Sequence, residues 1–166
     1  MSLRLLTLAT LGTALGCGLM AGSFFAFSTF VMKALATLLP AAAVRAMQAI
    51  NLGAPRGTFV AAFVGTAAAC TALAFHALLG WSRPGAGFRL AGGLAYLVGS
   101  FIVTIAANVP RNDALAALDP DSVNAAAEWV RYLSEWTRWN HVRTVAALVA
   151  AALLTVSMRL EVAGRG

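Results

Sequence analysis

The sequence predicts an all-α protein, a four-transmembrane-helix bundle with an amphipathic outer helix before the fourth span. Two observations on charge carry that prediction. Of the 166 residues, 60 % are hydrophobic and only 11 % are charged, against about 25 % charged in an ordinary soluble domain. The few charges are also clustered. No charged residue separates Arg4 from Lys33, Arg89 from Arg111 or Arg143 from Arg159, and only His76 lies between Arg56 and Arg83. Each stretch approaches the roughly 20 apolar residues that cross about 30 Å of hydrocarbon. Lipid offers the backbone no hydrogen-bond partner, so each crossing segment is a helix. The whole chain, residues 1–166, reads as one integral membrane domain.

The first span is expected over residues 5–32. Its apolar run outlasts the roughly 7 to 15 residues of a signal-peptide core. "ALGC" is a poor match to a lipoprotein cleavage site, so an uncleaved span is expected. Gly12, Gly16, Gly18 and Gly22 are spaced for close helix approach. Phe24, Phe25, Phe27 and Phe30 follow, as lipid contact, core or the wall of an apolar pocket. "PAAAVRAMQAIN" then starts with a proline suited to a first helical turn and carries Val44, Met47 and Ile50 at helical spacing. A short interfacial helix is expected there, over residues 40–50.

The second span, 58–79, closes on Trp81 as an interfacial aromatic. The third, 90–108, has Gly92, Gly93 and Gly99 as packing points and ends before Pro110. Asn112 is expected to cap a short turn. Asp119-Pro120 reads as the start of an interfacial helix over 120–138. That helix carries Trp129, Tyr132, Trp136 and Trp139 along one stripe and Glu128, Arg131, Glu135 and Arg138 along the next. The fourth span is expected over 139–160.

Arg4, Arg83, Arg89, Arg159 and Arg165 flank the spans on one side; Lys33, Arg45 and Arg56 lie on the other. The short basic flanks place both termini in the cytoplasm. The net charge of +6 speaks for contact with anionic lipid. With no basic run and no stacking platform, nucleic acid is not an expected partner. Cys17 and Cys70 lie within spans without a CxxC motif, as small buried hydrophobes rather than a disulfide, redox or zinc pair. His76 and His141 fall on the order of 30 Å apart along the membrane normal, too far to share a haem or metal.

The third span ends, and the fourth begins, at the same membrane surface. Asn108, Asn112, Asp113, Trp136, Asn140, His141 and Arg143 therefore converge. Each polar group there is costly unless paired, and an ionisable residue within a span is a functional signal. Two readings stand. One is a structural lock, with Asp113 paired to Arg143 and His141 bonded to a backbone carbonyl. The other is a ligand or catalytic site.

"NVPRND" (108–113) and "WTRWNHVRT" (136–144), preceded by "GSFFAFSTFVMKALATLLPAAAVRAMQAIN", resemble the bacterial branch of the anthrone oxygenase-like family over nearly the whole chain. Its members are small four-span membrane proteins. Fungal members are implicated in oxidising anthrones to anthraquinones without an evident cofactor. The resemblance implies a bacterial inner-membrane protein, needs no cofactor and no metal, and puts Asn108, Pro110, Asn112, Trp139, Asn140, His141, Arg143 and Thr144 on the family motif. The chemistry is compatible. An anthrone's central CH2 is acidic, and its electron-rich anion reacts with O2 by itself. Such a protein needs a base, donors for the oxyanion and an apolar pocket. His141 is the expected base. Asn108, Asn112, Asp113 and Arg143 complete the expected catalytic set. Trp136, Trp139, Asn140, Phe24 and Phe27 are the expected substrate contacts. The expected partners are a lipophilic small molecule and membrane lipid, with a homo-oligomer as a further option. The alternative is a non-catalytic membrane protein that binds a lipid- or quinone-like ligand or serves as a partner subunit.

Overall fold

A computed structural model describes residues 3–54 and 57–164. Arg56 and Arg165, two of the charges used above for topology, lie outside the described residues. Every regular element among the described residues is helical. Helix α1 (Leu3–Ala26) runs through a π-helical stretch (Phe27–Val31) into α2 (Met32–Ala36). Helix α3 (Pro40–Gly53) starts on its proline and buries Val44 and Met47. Helix α4 spans Thr58–Leu79. Helix α5 (Ala86–Tyr96) continues through π stretches at Leu97–Ile102 and Thr104–Asn108 into α6 (Val109–Ala116). Helix α7 is a single run of 39 residues, Ala125–Ala163.

Four helical segments are long and apolar enough to cross a membrane: Arg4–Ala36, Thr58–Leu79, Ala86–Ala116 and Ala125–Glu161. They pack as a ring in which α7 touches α1 and α5, and α4 touches α5 and α1. The polarity is inverted relative to a soluble protein. Leu8, Leu15, Phe75, Leu79 and Val145 are exposed, while Thr10, Ser100, Asn140 and Ser157 are buried. In hydrocarbon, apolar side chains outside cost nothing, and polar ones inside find partners in the bundle.

The interior divides into two clusters. One fills the membrane-spanning ring with Leu6, Met20, Phe24, Phe63, Leu73, Tyr96 and Leu154. The other joins Met32, Val44, Met47, Leu115, Trp129, Tyr132 and Trp136. At about 1.5 Å per residue α7 is almost twice as long as the hydrocarbon is thick. Its N-terminal part stands clear of the ring and, with α2, α3 and α6, forms the second cluster as a cap.

Several local expectations change. Pro110 does not end the third helix. The π stretch Thr104–Asn108 widens the turn just before it, so the helix runs on to Ala116. Asn112 therefore sits within a helix and caps nothing. Asp119 starts no helix; its carboxylate accepts from the Asp121 amide at 3.0 Å, and α7 begins only at Ala125. The outer amphipathic segment and the fourth span are one helix without a break. Glu135 pairs across to Arg111 at 2.9 Å instead of along its own helix, while Glu128 takes Arg131 at 2.8 Å. Among the glycines of α1 only Gly16 is tight, a Cβ there meeting Thr66 Oγ1 at 2.5 Å; Gly12, Gly18 and Gly22 have nothing within 4 Å. Gly93 and Gly99 do sit at helix contacts: a Cβ added at Gly93 would meet the Cys70 carbonyl oxygen at 2.9 Å, and one at Gly99 the Ala146 Cβ at 2.4 Å. Gly85 turns the chain between α4 and α5 with φ +80°.

At the end of the bundle that holds the start of α5 and the end of α7, Arg89 and Glu161 form an ion pair of 3.0 Å with 0 % and 2 % of their side chains exposed. His76 lies half-buried beside it, with Nδ1 3.5 Å from an Arg89 nitrogen. Cys17 and Cys70 are buried free thiols whose sulfurs stand 3.8 Å apart.

Removing one member of a buried ion pair strands the other, at a cost of about 3–5 kcal/mol. Arg89→Leu is expected to lower the thermal unfolding midpoint of the detergent-solubilised protein strongly, and Arg89→Leu with Glu161→Leu to recover most of the loss. A double variant no better than the single one would show that the pair does not lock the helix ends.

Candidate functional site

The buried side of α7 runs Ala125, Trp129, Tyr132, Trp136, Asn140, Arg143, Ala147, Ala150, Leu154, Ser157 and Glu161. The steps alternate between three and four except for a second step of four from Trp136 to Asn140. Such an insertion shifts the inward seam by part of a turn. At about 100° per residue, Asn140 and Arg143 stay close to the direction of Trp136, whereas His141 points about 140° away. The seam thus brings one amide and one guanidinium into the bundle and turns the imidazole out.

Arg143 is the centre of the inward group, 5 % exposed. Its guanidinium carbon lies 4.4 Å from the centre of the Phe24 ring and 5.2 Å from that of Trp136. One terminal nitrogen donates to Thr104 Oγ1 at 3.2 Å, the other to Asn140 Oδ1 at 2.5 Å. Its Nε has no partner, and among the described residues no carboxylate pairs with it. Asn140 Nδ2 donates to the Phe24 carbonyl at 2.6 Å and to Ser28 Oγ at 2.7 Å, tying α7 to the first span.

All three π stretches adjoin this node. Ser28 belongs to the first, Ser100 to the second and Thr104 to the third. Ser100 Oγ donates to the Arg143 carbonyl at 3.0 Å. A π turn shifts the backbone ladder and re-aims the side chains of a helix wall, and such turns gather at functional sites.

Beside the node lies a cavity of about 400 Å³. Its walls are Phe24, Phe27, Phe59, Phe63, Phe101 and Trp136, with Phe63 and Phe101 stacked at 5.3 Å. Asn51, Thr104, Asn112, Asn140 and Arg143 are its polar lining. Val64, Ile105 and Val109 line it and are also exposed, so it opens between the second and third spans onto the lipid-facing surface. An apolar cavity with a few convergent polar groups is the usual form of a small-molecule site.

The residues expected from sequence divide accordingly. Phe24, Phe27, Asn112, Trp136, Asn140 and Arg143 meet at this cavity. Asn112 Oδ1 accepts from Tyr132 Oη at 2.9 Å and Trp136 Nε1 at 2.8 Å, which fixes the indole. Asn108 is buried behind the wall and donates to the Trp136 carbonyl at 3.3 Å. Asp113 and Trp139 are exposed and outside the cavity. His141 lines a separate groove with Lys33 and Arg138, so the geometry gives it no access to a ligand in the cavity. The expected lock is absent too, since Arg143 bonds to Thr104 and Asn140 and not to Asp113. Asn51, Phe59, Phe63, Phe101 and Thr104 were missed. Only the inward seam of α7, followed through its extra step of four, would have separated Arg143 from His141 beforehand. Among the described residues no three His, Cys, Asp or Glu side chains gather as a metal site.

Fold and site together define a small four-span integral membrane protein with an aromatic cavity and a buried guanidinium at its wall. The chain belongs to the anthrone oxygenase family, whose model matches residues 57–153, more than half of its length. No curated protein and no solved structure matches it. The matched region holds Arg143, Asn140, Asn112 and Trp136, while α1, the π stretch after it and α3, which supply Phe24, Phe27 and Met47 to the cavity, lie outside it.

Asn112→Leu leaves two donors, Tyr132 Oη and Trp136 Nε1, without their acceptor. A buried unpaired donor costs about 1–3 kcal/mol. The variant is expected to unfold at a lower temperature and to show a changed tryptophan emission maximum. An unchanged spectrum would place the Trp136 ring elsewhere.

Proposed function

We propose that the cavity binds a flat, lipophilic aromatic compound of the anthrone type and that the protein oxygenates it without a cofactor, Arg143 holding the substrate as its anion. The observation that carries this reading is a buried guanidinium, unpaired by any carboxylate among the described residues, at the wall of an aromatic cavity. A cation so placed favours an anionic partner in the same cavity. The surrounding rings match the faces of a fused polycycle, and the opening toward lipid suits a substrate dissolved in the bilayer.

Loss of a proton from the ring CH2 leaves an enolate whose oxygen accepts from Arg143, with Asn140 keeping the guanidinium in place. The carbanionic carbon reduces O2 and forms a C–O bond to it. The resulting hydroperoxide loses water to leave a carbonyl. One O2 is consumed per CH2 oxidised, with one oxygen atom retained and the other released as water. In this scheme Arg143 acts by stabilising the anion rather than by accepting the proton, which passes to water, and His141 has no part in the chemistry.

One observation favours a second reading. Among the described residues the cavity lining contains neither an imidazole nor a carboxylate to act as base, as suits a protein that binds a quinone-like ligand without turning it over.

Oxygen uptake by the purified protein with emodin anthrone separates the two. Catalysis predicts protein-dependent uptake with anthraquinone formation. It also predicts that Arg143→Leu falls by about 10²- to 10³-fold, as when an oxyanion donor is removed, while His141→Gln stays within a few-fold of the parent. Uptake no faster than autoxidation, together with quenching of tryptophan emission by emodin that Arg143→Leu loses, would leave the binding reading standing and sink the oxygenase.

A further inference from the structure

A second site lies away from the cavity. Where α2 meets α7, a groove of about 390 Å³ brings Lys33, Arg138 and His141 together with the hydroxyl side chains of Ser134 and Thr137 over a floor that includes Met32. Among the described residues no carboxylate lines it. The two acids nearest on α7 are engaged elsewhere, Glu135 by Arg111 and Glu128 by Arg131. Among the described residues neither Lys33 nor Arg138 has an ion-pair partner. Thr137 Oγ1 is buried and has no hydrogen-bond partner.

The height of the groove in the bundle is also telling. Lys33 ends the uncharged run that begins after Arg4, and Arg138 and His141 are the last exposed polar side chains before the apolar stretch of α7. On the membrane side of the groove the same two spans expose Phe25 and Phe30, and Val142 and Val145. Cationic and hydroxyl groups thus stand at headgroup level, directly above an apolar surface.

We propose that this groove binds the phosphate headgroup of an anionic phospholipid. Lys33 and Arg138 take the phosphate oxygens, Thr137 Oγ1 and a ring N–H of His141 donate to them, and the acyl chains run down the exposed apolar surface. Lys and Arg at a membrane surface attract anionic lipid, and an unpaired hydroxyl adds a directional donor that a diffuse charge lacks.

The test is native mass spectrometry of the full chain released from mixed micelles of phosphatidylglycerol and phosphatidylcholine, with inorganic phosphate as a competing arm. The expected result is retention of phosphatidylglycerol roughly ten-fold over phosphatidylcholine, as two cationic contacts allow, unaffected by millimolar phosphate. The preference should vanish in Lys33→Ala with Arg138→Ala and survive in Arg45→Ala with Arg131→Ala, which removes two exposed arginines elsewhere. The single changes Arg138→Gln and Thr137→Val, each expected to weaken retention several-fold, are read in parallel should the double variant fold poorly. Equal retention of both lipids would overturn the proposal. So would a preference that survives loss of Lys33 and Arg138, or one lost equally in the control pair. Displacement by inorganic phosphate would make the groove a site for a free anion and likewise overturn it.

Discussion

The bundle turns on a single buried node, Asn140 and Arg143 on α7. A guanidinium inside a membrane-spanning ring is costly unless its donors are used and its charge finds compensation. Here two aromatic faces, one threonine hydroxyl and one asparagine oxygen carry that load. Asn140 then spends its amide on the first span, through Phe24 and Ser28. The node therefore holds the first, third and fourth spans in one register. The π stretches follow from the same need. Regular helices present Ser28, Ser100 and Thr104 at fixed intervals, and a locally widened turn re-aims them toward α7. The inserted turn before Pro110 also lets the third helix pass its proline and deliver Asn112 to Trp136.

The cap has a related role. Because α7 is too long for the hydrocarbon, its first turns are free to pack Trp129, Tyr132 and Trp136 against α3 and α6. Trp136 belongs to the cap and to the cavity wall at once. The aromatic cluster that stabilises the cap therefore also positions one wall of the aromatic cavity, and Asn112 couples the two through its accepting oxygen. At the far end, the Arg89–Glu161 pair closes the ring where the node cannot reach. Two buried polar locks at opposite ends leave the middle to close contacts such as those at Gly16, Gly93 and Gly99.

Much of this was legible in the residues alone. Long uncharged runs and a shortage of charge make helices that cross a membrane, because lipid leaves the backbone no other solution. The motifs "NVPRND" and "WTRWNHVRT" marked the region where the cavity's polar groups lie, and Asn112, Trp136, Asn140 and Arg143 were named from it. What stayed illegible was rotation and continuity. Arg143 and His141 are two residues apart, and composition treats them alike. One extra step of four along the seam of α7 decides that the arginine faces the cavity and the histidine faces the groove it shares with Lys33 and Arg138. That step is set by how Trp136 and Asn140 meet α1 and α6, contacts that join positions as far apart as Phe24 and Asn140. The buried partnership of Arg89 with Glu161 likewise joins positions far apart in sequence, and no local pattern announces it. Composition and hydropathy determined what the chain is made to live in and how often it crosses. Tertiary packing alone decided which polar side chains look inward, because helix phase is fixed by partners distant in sequence and not by the spacing of the residues themselves.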